Sequence, residues 1–145
     1  MVIYMEKYMK IAYKEALKAY KKGDVPVGAV IIKNNKVVAK SYNKKEKNKN
    51  AIMHAEIDVI NKACKKLKTW HLEECILFTT LEPCLMCIGS IIQSRIGKIY
   101  YSTNNPNFGE LEILKKYNKQ IEINKGLLEN ESSELLKKFF KEKRK

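Results

Sequence analysis

At 145 residues the chain has room for one domain built on one hydrophobic core. A composition of 45% hydrophobic and 31% charged residues excludes a disordered chain, and no apolar run approaches the roughly 20 residues that cross a bilayer. The formal net charge of +13 suggests an anionic partner such as nucleic acid or a phosphorylated substrate. Arg95 and Arg144 are the only arginines, however, and lysine amid many Asn and Ile is also what codon bias in an AT-rich genome produces.

Residues 1–10 interleave Glu6, Lys7 and Lys10 with apolar positions, so the unbroken apolar stretch of a signal peptide is missing and a cytoplasmic protein is expected. Residues 4–22 place Met5, Tyr8, Met9, Ala12, Ala16 and Tyr20 at helical spacing, which predicts an amphipathic helix stopped at Gly23. Residues 27–32 are continuously apolar, Asn34-Asn35 offers a tight turn, and residues 37–42 resume in extended fashion, which reads as a hairpin. Residues 43–50 have no apolar period and form a loop; a helix is expected from about 55 to 67.

Residues 75–81 make a β-branched strand, Pro83 punctuates it, and residues 85–94 form an apolar helix followed by a strand at 98–102. The run Asn104-Asn105-Pro106-Asn107-Phe108-Gly109 is dense in turn formers. After it come a weak helix near 111–117, a strand near 121–124 and a basic helix over about 131–145 with Leu135, Leu136, Phe139 and Phe140 on one face. Strands alternating with helices predict an α/β fold, a three-layer α/β/α sandwich with a central mixed five-stranded sheet, in one domain over residues 1–145.

Two short segments flank the third expected strand, each at a helix start: His54-Ala55-Glu56 and Pro83-Cys84-Leu85-Met86-Cys87. Cys84 and Cys87 are three apart, so one helical turn presents both thiols to the same side, and a helix N-terminus favours their thiolate forms. His54 would be a third, neutral ligand, leaving a fourth position to water as in catalytic zinc sites. The sequence does not fix the metal, but mixed thiolate and imidazole ligation in a tetrahedral site makes zinc, Zn2+, the natural choice.

Two thiolates cancel the metal's charge, so the helix dipoles and a nearby base become important. Glu56, two residues beyond His54, points elsewhere than the imidazole and suits that base. In a hydrolytic deamination it would take a proton from water, pass it to the ring nitrogen beside the attacked carbon and help protonate the departing amine. Neither C-x-x-C nor H-x-E decides alone, but H-x-E, a strand and P-C-x-x-C in that order form a recognised signature of zinc deaminases. Cys64 and Cys75 read as buried free thiols, and His71 beside Trp70 as a surface or packing residue.

Along most of its length the chain resembles the tRNA-specific adenosine deaminases of the bacterial TadA type, in the cytidine deaminase-like superfamily. The likeness lies in Asp24-Val25-Pro26-Val27-Gly28-Ala29-Val30, Asn43, His54-Ala55-Glu56-Ile57, Thr80-Leu81-Glu82-Pro83-Cys84-Leu85-Met86-Cys87, Ser94-Arg95-Ile96-Gly97 and Phe139-Phe140. The resemblance implies hydrolysis of adenosine to inosine at the wobble position of a tRNA anticodon stem-loop, by a homodimer with one zinc ion per subunit. It also implies that Asn43 hydrogen-bonds the purine, that the backbone at Ala55 and Pro83 lines the pocket, and that Val27 packs on the flipped base. The basic last helix, with Lys141 and Arg144, would reach the RNA. By composition alone, Asn43 is a turn residue and Val27 a core strand residue.

The chain departs from the family at residues 104–109, where it is shorter and Asn105 stands in the place of an Asp. The resemblance makes this loop, Asn105 included, a contact to the nucleotides flanking the edited base. Loss of a carboxylate there predicts weaker discrimination between RNA and DNA, since the 2′-OH is what tells them apart. The runner-up activity is zinc-dependent deamination of a free base or small nucleoside such as cytosine or guanine. The basic last helix, the charge excess and Asn43 favour a polynucleotide, because a free base offers no phosphates to neutralise. A zinc-stabilised binding module without catalysis is opposed by Glu56 and by the position left to water.

Overall fold

Asn34 and Asn35 both adopt left-handed backbone, with φ of 51° and 63°, the requirement of a two-residue type I′ turn that asparagine tolerates. They join β1 (Gly28–Lys33) to β2 (Lys36–Tyr42) as the predicted antiparallel hairpin. The computed structural model in which this is seen describes residues 2–106 and 111–143, with side chains from Tyr4 onward. Residues 107–110, including the predicted turn formers Asn107, Phe108 and Gly109, and residues 144–145 lie outside the described part.

β3 (Ile76–Leu81) pairs antiparallel with β1, then β4 (Lys98–Thr103) and β5 (Glu122–Lys125) add in parallel, giving the order β2-β1-β3-β4-β5. The mixed sheet follows from the connections: a tight turn serves the antiparallel hairpin, and helices serve the parallel pairs. The helices are α1 (Val2–Lys21), α2 (Ala55–Leu67), α3 (Leu85–Ser94), α4 (Leu111–Tyr117) and α5 (Glu129–Lys143).

The sheet's alternating side chains feed two cores. Ala29, Ile31 and Leu77 pack with Val59, Ala63 and Ile88 of α2 and α3, while Val30, Ile32 and Phe78 pack with Tyr8, Met9 and Ala12 of α1. Burial on both faces is why β1 is apolar up to its last residue, Lys33. α5 packs on β4 beside α1, its Phe139 ring 6.4 Å from that of Tyr20, which completes the three predicted layers. Gly28 permits the approach of α1: a Cβ there would lie 1.9 Å from the Ala12 carbonyl oxygen and 2.5 Å from the Ala16 nitrogen.

Two expectations are corrected in α5. It begins at Glu129, two residues before the predicted start, because Glu129 and Glu131 favour the positive end of the helix ahead of the apolar period. Its apolar residues also form two faces where one was expected. Leu135 and Phe139 enter the core, whereas Leu136 is half-buried and Phe140 is 47% exposed.

Candidate active site

β3 and β4 run parallel and end at Leu81 and Thr103, and a cleft opens beyond both ends. Two helix N-termini reach it, since His54 is the N-cap of α2 and Cys84 the N-cap of α3. An N-cap side chain ordinarily closes onto its own helix. Neither of these does, although both have extended backbone. They turn towards one another instead.

His54 Nδ1 lies 3.6 Å from Cys84 Sγ and 3.6 Å from Cys87 Sγ, and the two sulfurs are 3.7 Å apart. Zinc bonds of about 2.3 Å to sulfur and about 2.1 Å to nitrogen at tetrahedral angles put such donors about 3.6 to 3.8 Å from each other. The triangle therefore has the edges of one face of a zinc tetrahedron, and it is the group of donors able to hold a metal among the described residues. Cys64 and Cys75 are free and stand apart from it. His71 stacks on Trp70 at 3.7 Å and pairs with Glu73 at 3.1 Å, as a surface histidine does.

Charge within the triangle is shared unequally. The bond to Cys87 pulls the Cys84 thiol down to about 4, against burial and with help from His54. The same bond, together with burial, pushes the Cys87 thiol up, and the bond to Cys84 raises His54 against its own burial. Glu56, in the first turn of α2, is 4% exposed. Burial lifts its carboxyl to about 7, against its backbone N–H and nearby His54. A carboxyl balanced there can both hold and release a proton near neutrality.

The cleft encloses about 1050 Å³. Val27, Asn43, Ala55 and Glu56 line its inner part, while Asn105 and Lys141 lie along its rim. Pro83 is buried between the lining residues Glu82 and Cys84 and is not itself a lining residue; Arg144 is outside the described part. Asn43 is held by its backbone N–H to Val27 O at 3.0 Å and by Nδ2 to Val25 O at 3.3 Å. Its Oδ1 is buried with no hydrogen-bond partner among the described residues.

Lys45, Ser133, Leu136, Lys137 and Phe140 also line this cleft, and the motifs of the sequence do not single them out for it. Four of these belong to α5. The pairs Leu135/Phe139 and Leu136/Phe140 each stand four apart and one residue out of phase, a signal of two apolar stripes of which one can face a ligand.

Residues 3–144 match the family model of the MafB19-like deaminases. The tRNA-specific adenosine deaminase of Bacillus subtilis (strain 168) is 43% identical over 146 residues, covering 97% of this chain and 91% of that protein. That of Aquifex aeolicus (strain VF5) is 40% identical over 145 residues, covering 96% and 95%. A solved structure from work on A-to-I editing by tRNA:A34 deaminases superposes with a TM-score of 0.84 at 34% identity, covering 90% of this chain and 99% of its own. Likeness over nearly every residue of both partners accounts for the sheet order and the paired helix N-termini together. The chain belongs to the family of the tRNA-specific adenosine deaminases, within the MafB19-like deaminases.

Proposed function

We propose that the protein hydrolyses adenosine to inosine at the wobble position of a tRNA anticodon, releasing ammonia, and that the whole chain acts as one deaminase domain. The observation that carries the chemistry is the triangle of His54, Cys84 and Cys87 with buried Glu56 beside it. These three residues would hold one zinc ion, which when bound supplies a Lewis acid that activates water. Every proton is then moved by Glu56. It accepts one from the attacking water and delivers it to the ring nitrogen next to the attacked carbon. It then takes the second from the hydroxyl now on that carbon and passes it to the amino group, so that the C–N bond breaks, a carbonyl is left and ammonia departs.

Asn43 and Val27 orient the base. The Asn43 acceptor suits the amino group of adenine, Val27 packs on the ring, and Ala55 at the start of α2 closes the floor, with Pro83 buried ahead of α3. The cleft is larger than one base needs, and exposed Lys137 and Lys141 on its outer wall suit the phosphates of an RNA loop. This supports tRNA over a free base. Leu85 and Ile52, neighbours in sequence of the two N-caps, are 58% and 55% exposed, which supports a homodimer with a second subunit seated near each site. No helix among the described residues is long and apolar enough to cross a membrane, in keeping with a tRNA-modifying enzyme of the cytoplasm.

Incubation of the zinc-loaded protein with an anticodon stem-loop bearing adenine at the wobble position tests the reading. Inosine is the expected product. Ammonia from free cytosine or guanine, with no inosine in the RNA, would overturn it.

A further inference from the structure

β2 is an edge strand, and beyond Tyr42 the chain leaves the sheet. Asn43 sits at that exit, where ladder hydrogen bonds no longer set its place. Its own backbone N–H reaches Val27 O, and the next residue's N–H, that of Lys44, reaches Met53 O at 3.0 Å. Asn43 Nδ2 donates to Val25 O at 3.3 Å, and one further anchor, on the neighbouring Lys44, is made of side chains. Lys44 Nζ donates to Asp58 Oδ2 at 2.8 Å and to Ser41 Oγ at 2.9 Å, and Ser41 Oγ in turn donates to Asp58.

The triad is an enclosed one. Ser41 is fully buried, and the side chains of Lys44 and Asp58 are 13% and 17% exposed, with Lys62 at 3.4 Å as a second, more open cation on Asp58. Such a group is directional and poor in water, unlike the slack ion pairs of the surface. An apolar trio of the same volume would press β2 against α2 equally well without fixing how far one is displaced along the other.

The geometry gives that displacement a meaning. Ser41 and Asn43 stand two apart at the end of a strand and are both buried. Asp58 stands four residues after His54 on α2, hence one helical turn away on the same face. Pairing Ser41 and Lys44 with Asp58 therefore brings Asn43 alongside the N-terminal turn of α2, which carries His54 and Glu56. We propose that Asp58 is a positioning residue: through Lys44 it holds Asn43 in register with α2, so that one helix governs both where protons move and where the base lies. This rests on the adenosine reading, in which Asn43 contacts the purine.

The test uses the zinc-loaded full chain and the wobble-adenine stem-loop. Asp58→Asn and Lys44→Met are expected to lower kcat about tenfold, in the range that a misplaced substrate costs, with KM for the RNA and the zinc content unchanged. Lys44→Arg, which keeps the charge, restores most of the loss. In an Asn43→Ala background Asp58→Asn should change kcat less than twofold, because the residue it acts through is gone. The ¹⁵N-labelled side-chain amide of Asn43, observed without RNA, should shift in Asp58→Asn and hold its position in Lys44→Arg.

An equal loss in both backgrounds, or an Asn43 amide that stays in place in Asp58→Asn, overturns the proposal. If Asp58→Asn fails to fold, Lys44→Met is read in its place, since it leaves Asp58 paired with Ser41 and Lys62. A parent protein that makes no inosine refutes the adenosine reading instead, and the amide signal still decides this one.

Discussion

In the floor of the cleft, four side chains from two helix N-termini are gathered, three of them within 3.7 Å of each other, and Glu56 and Cys87 are withdrawn from solvent. The outer wall is built differently. Along α5, Lys137, Phe140 and Lys141 stand along the cleft, and Lys137 has an exposed partner, Glu134 at 3.8 Å. The floor depends on a few directions and distances, so it fails sharply when one group is removed. The wall depends on summed charge and buried area, so it weakens by degrees. Damage to the floor should accordingly appear in kcat, and damage to the wall in KM and its response to salt.

The largest effect is expected for Glu56→Ala. Removing the proton carrier should lower kcat about 10³-fold, within the usual range for general acid–base catalysis, while zinc remains bound. Deamination of the stem-loop and metal analysis of the same sample check it. Activity within tenfold of the parent would remove Glu56 from the shuttle role.

Next comes Asp58→Ala, which breaks a largely enclosed ion pair and should cost about 3 kcal/mol at neutral pH, the lower end for such pairs because some exposure remains. Burial raises the Asp58 carboxyl, but the hydrogen bonds from Lys44 and Ser41 and the charges of Lys44 and Lys62 outweigh it and leave it below its ordinary 3.8. A carboxyl depressed by folding stabilises the protein above its unfolded value and loses that contribution as pH falls through the folded one. The gap in urea midpoint between parent and variant should therefore be full at pH 7 and close on acidification below the carboxylate range. A gap that widened with acid would contradict the assignment. This site belongs to neither floor nor wall: it ties the chain leaving β2 to the helix that carries the catalytic groups.

The wall should respond more gently. Lys137→Ala and Lys141→Ala are each expected to raise KM for the RNA severalfold and to lower the slope of log KM against log salt by roughly 0.7 to 0.9 for every phosphate that is no longer neutralised. At saturating RNA, kcat should stay within twofold. A fall in kcat from either would mean that α5 shapes the floor as well.

The same contrast explains what the sequence discloses. His54, Glu56, Cys84 and Cys87 are legible because each pair is local, and because α2 and α3 begin where N-terminal signals and apolar periods both begin. The central strands are legible because burial on both faces leaves runs of apolar and β-branched residues. Where partners are distant in the chain, nothing local marks them. Asp58 binds a lysine 14 residues away. Asp24, buried at the end of α1, accepts the backbone N–H groups of Glu46 and Lys47 at 2.8 and 3.2 Å and so pins the loop that carries Lys45 to the cleft. A strand exit and a helix must first be packed together before such residues acquire a function. The division of α5 into core and cleft stripes likewise depends on where the helix lies, which periodicity alone leaves open.

The smallest effect is expected where wall and floor meet. Asn105 lines the cleft, and its backbone N–H donates to Glu82 Oε1 at 3.0 Å. Asn105→Asp would place a second carboxylate near Glu82 and near the phosphates of any bound strand, so binding of RNA and DNA stem-loops should weaken alike through repulsion. Only RNA carries a 2′-OH to donate to the new acceptor, and only RNA can recover part of that affinity. The RNA-to-DNA ratio of kcat/KM should accordingly rise by a factor of about three. Equal weakening for both strands would mean that position 105 faces phosphate and not ribose, and that the asparagine in the parent sequence has no bearing on sugar discrimination.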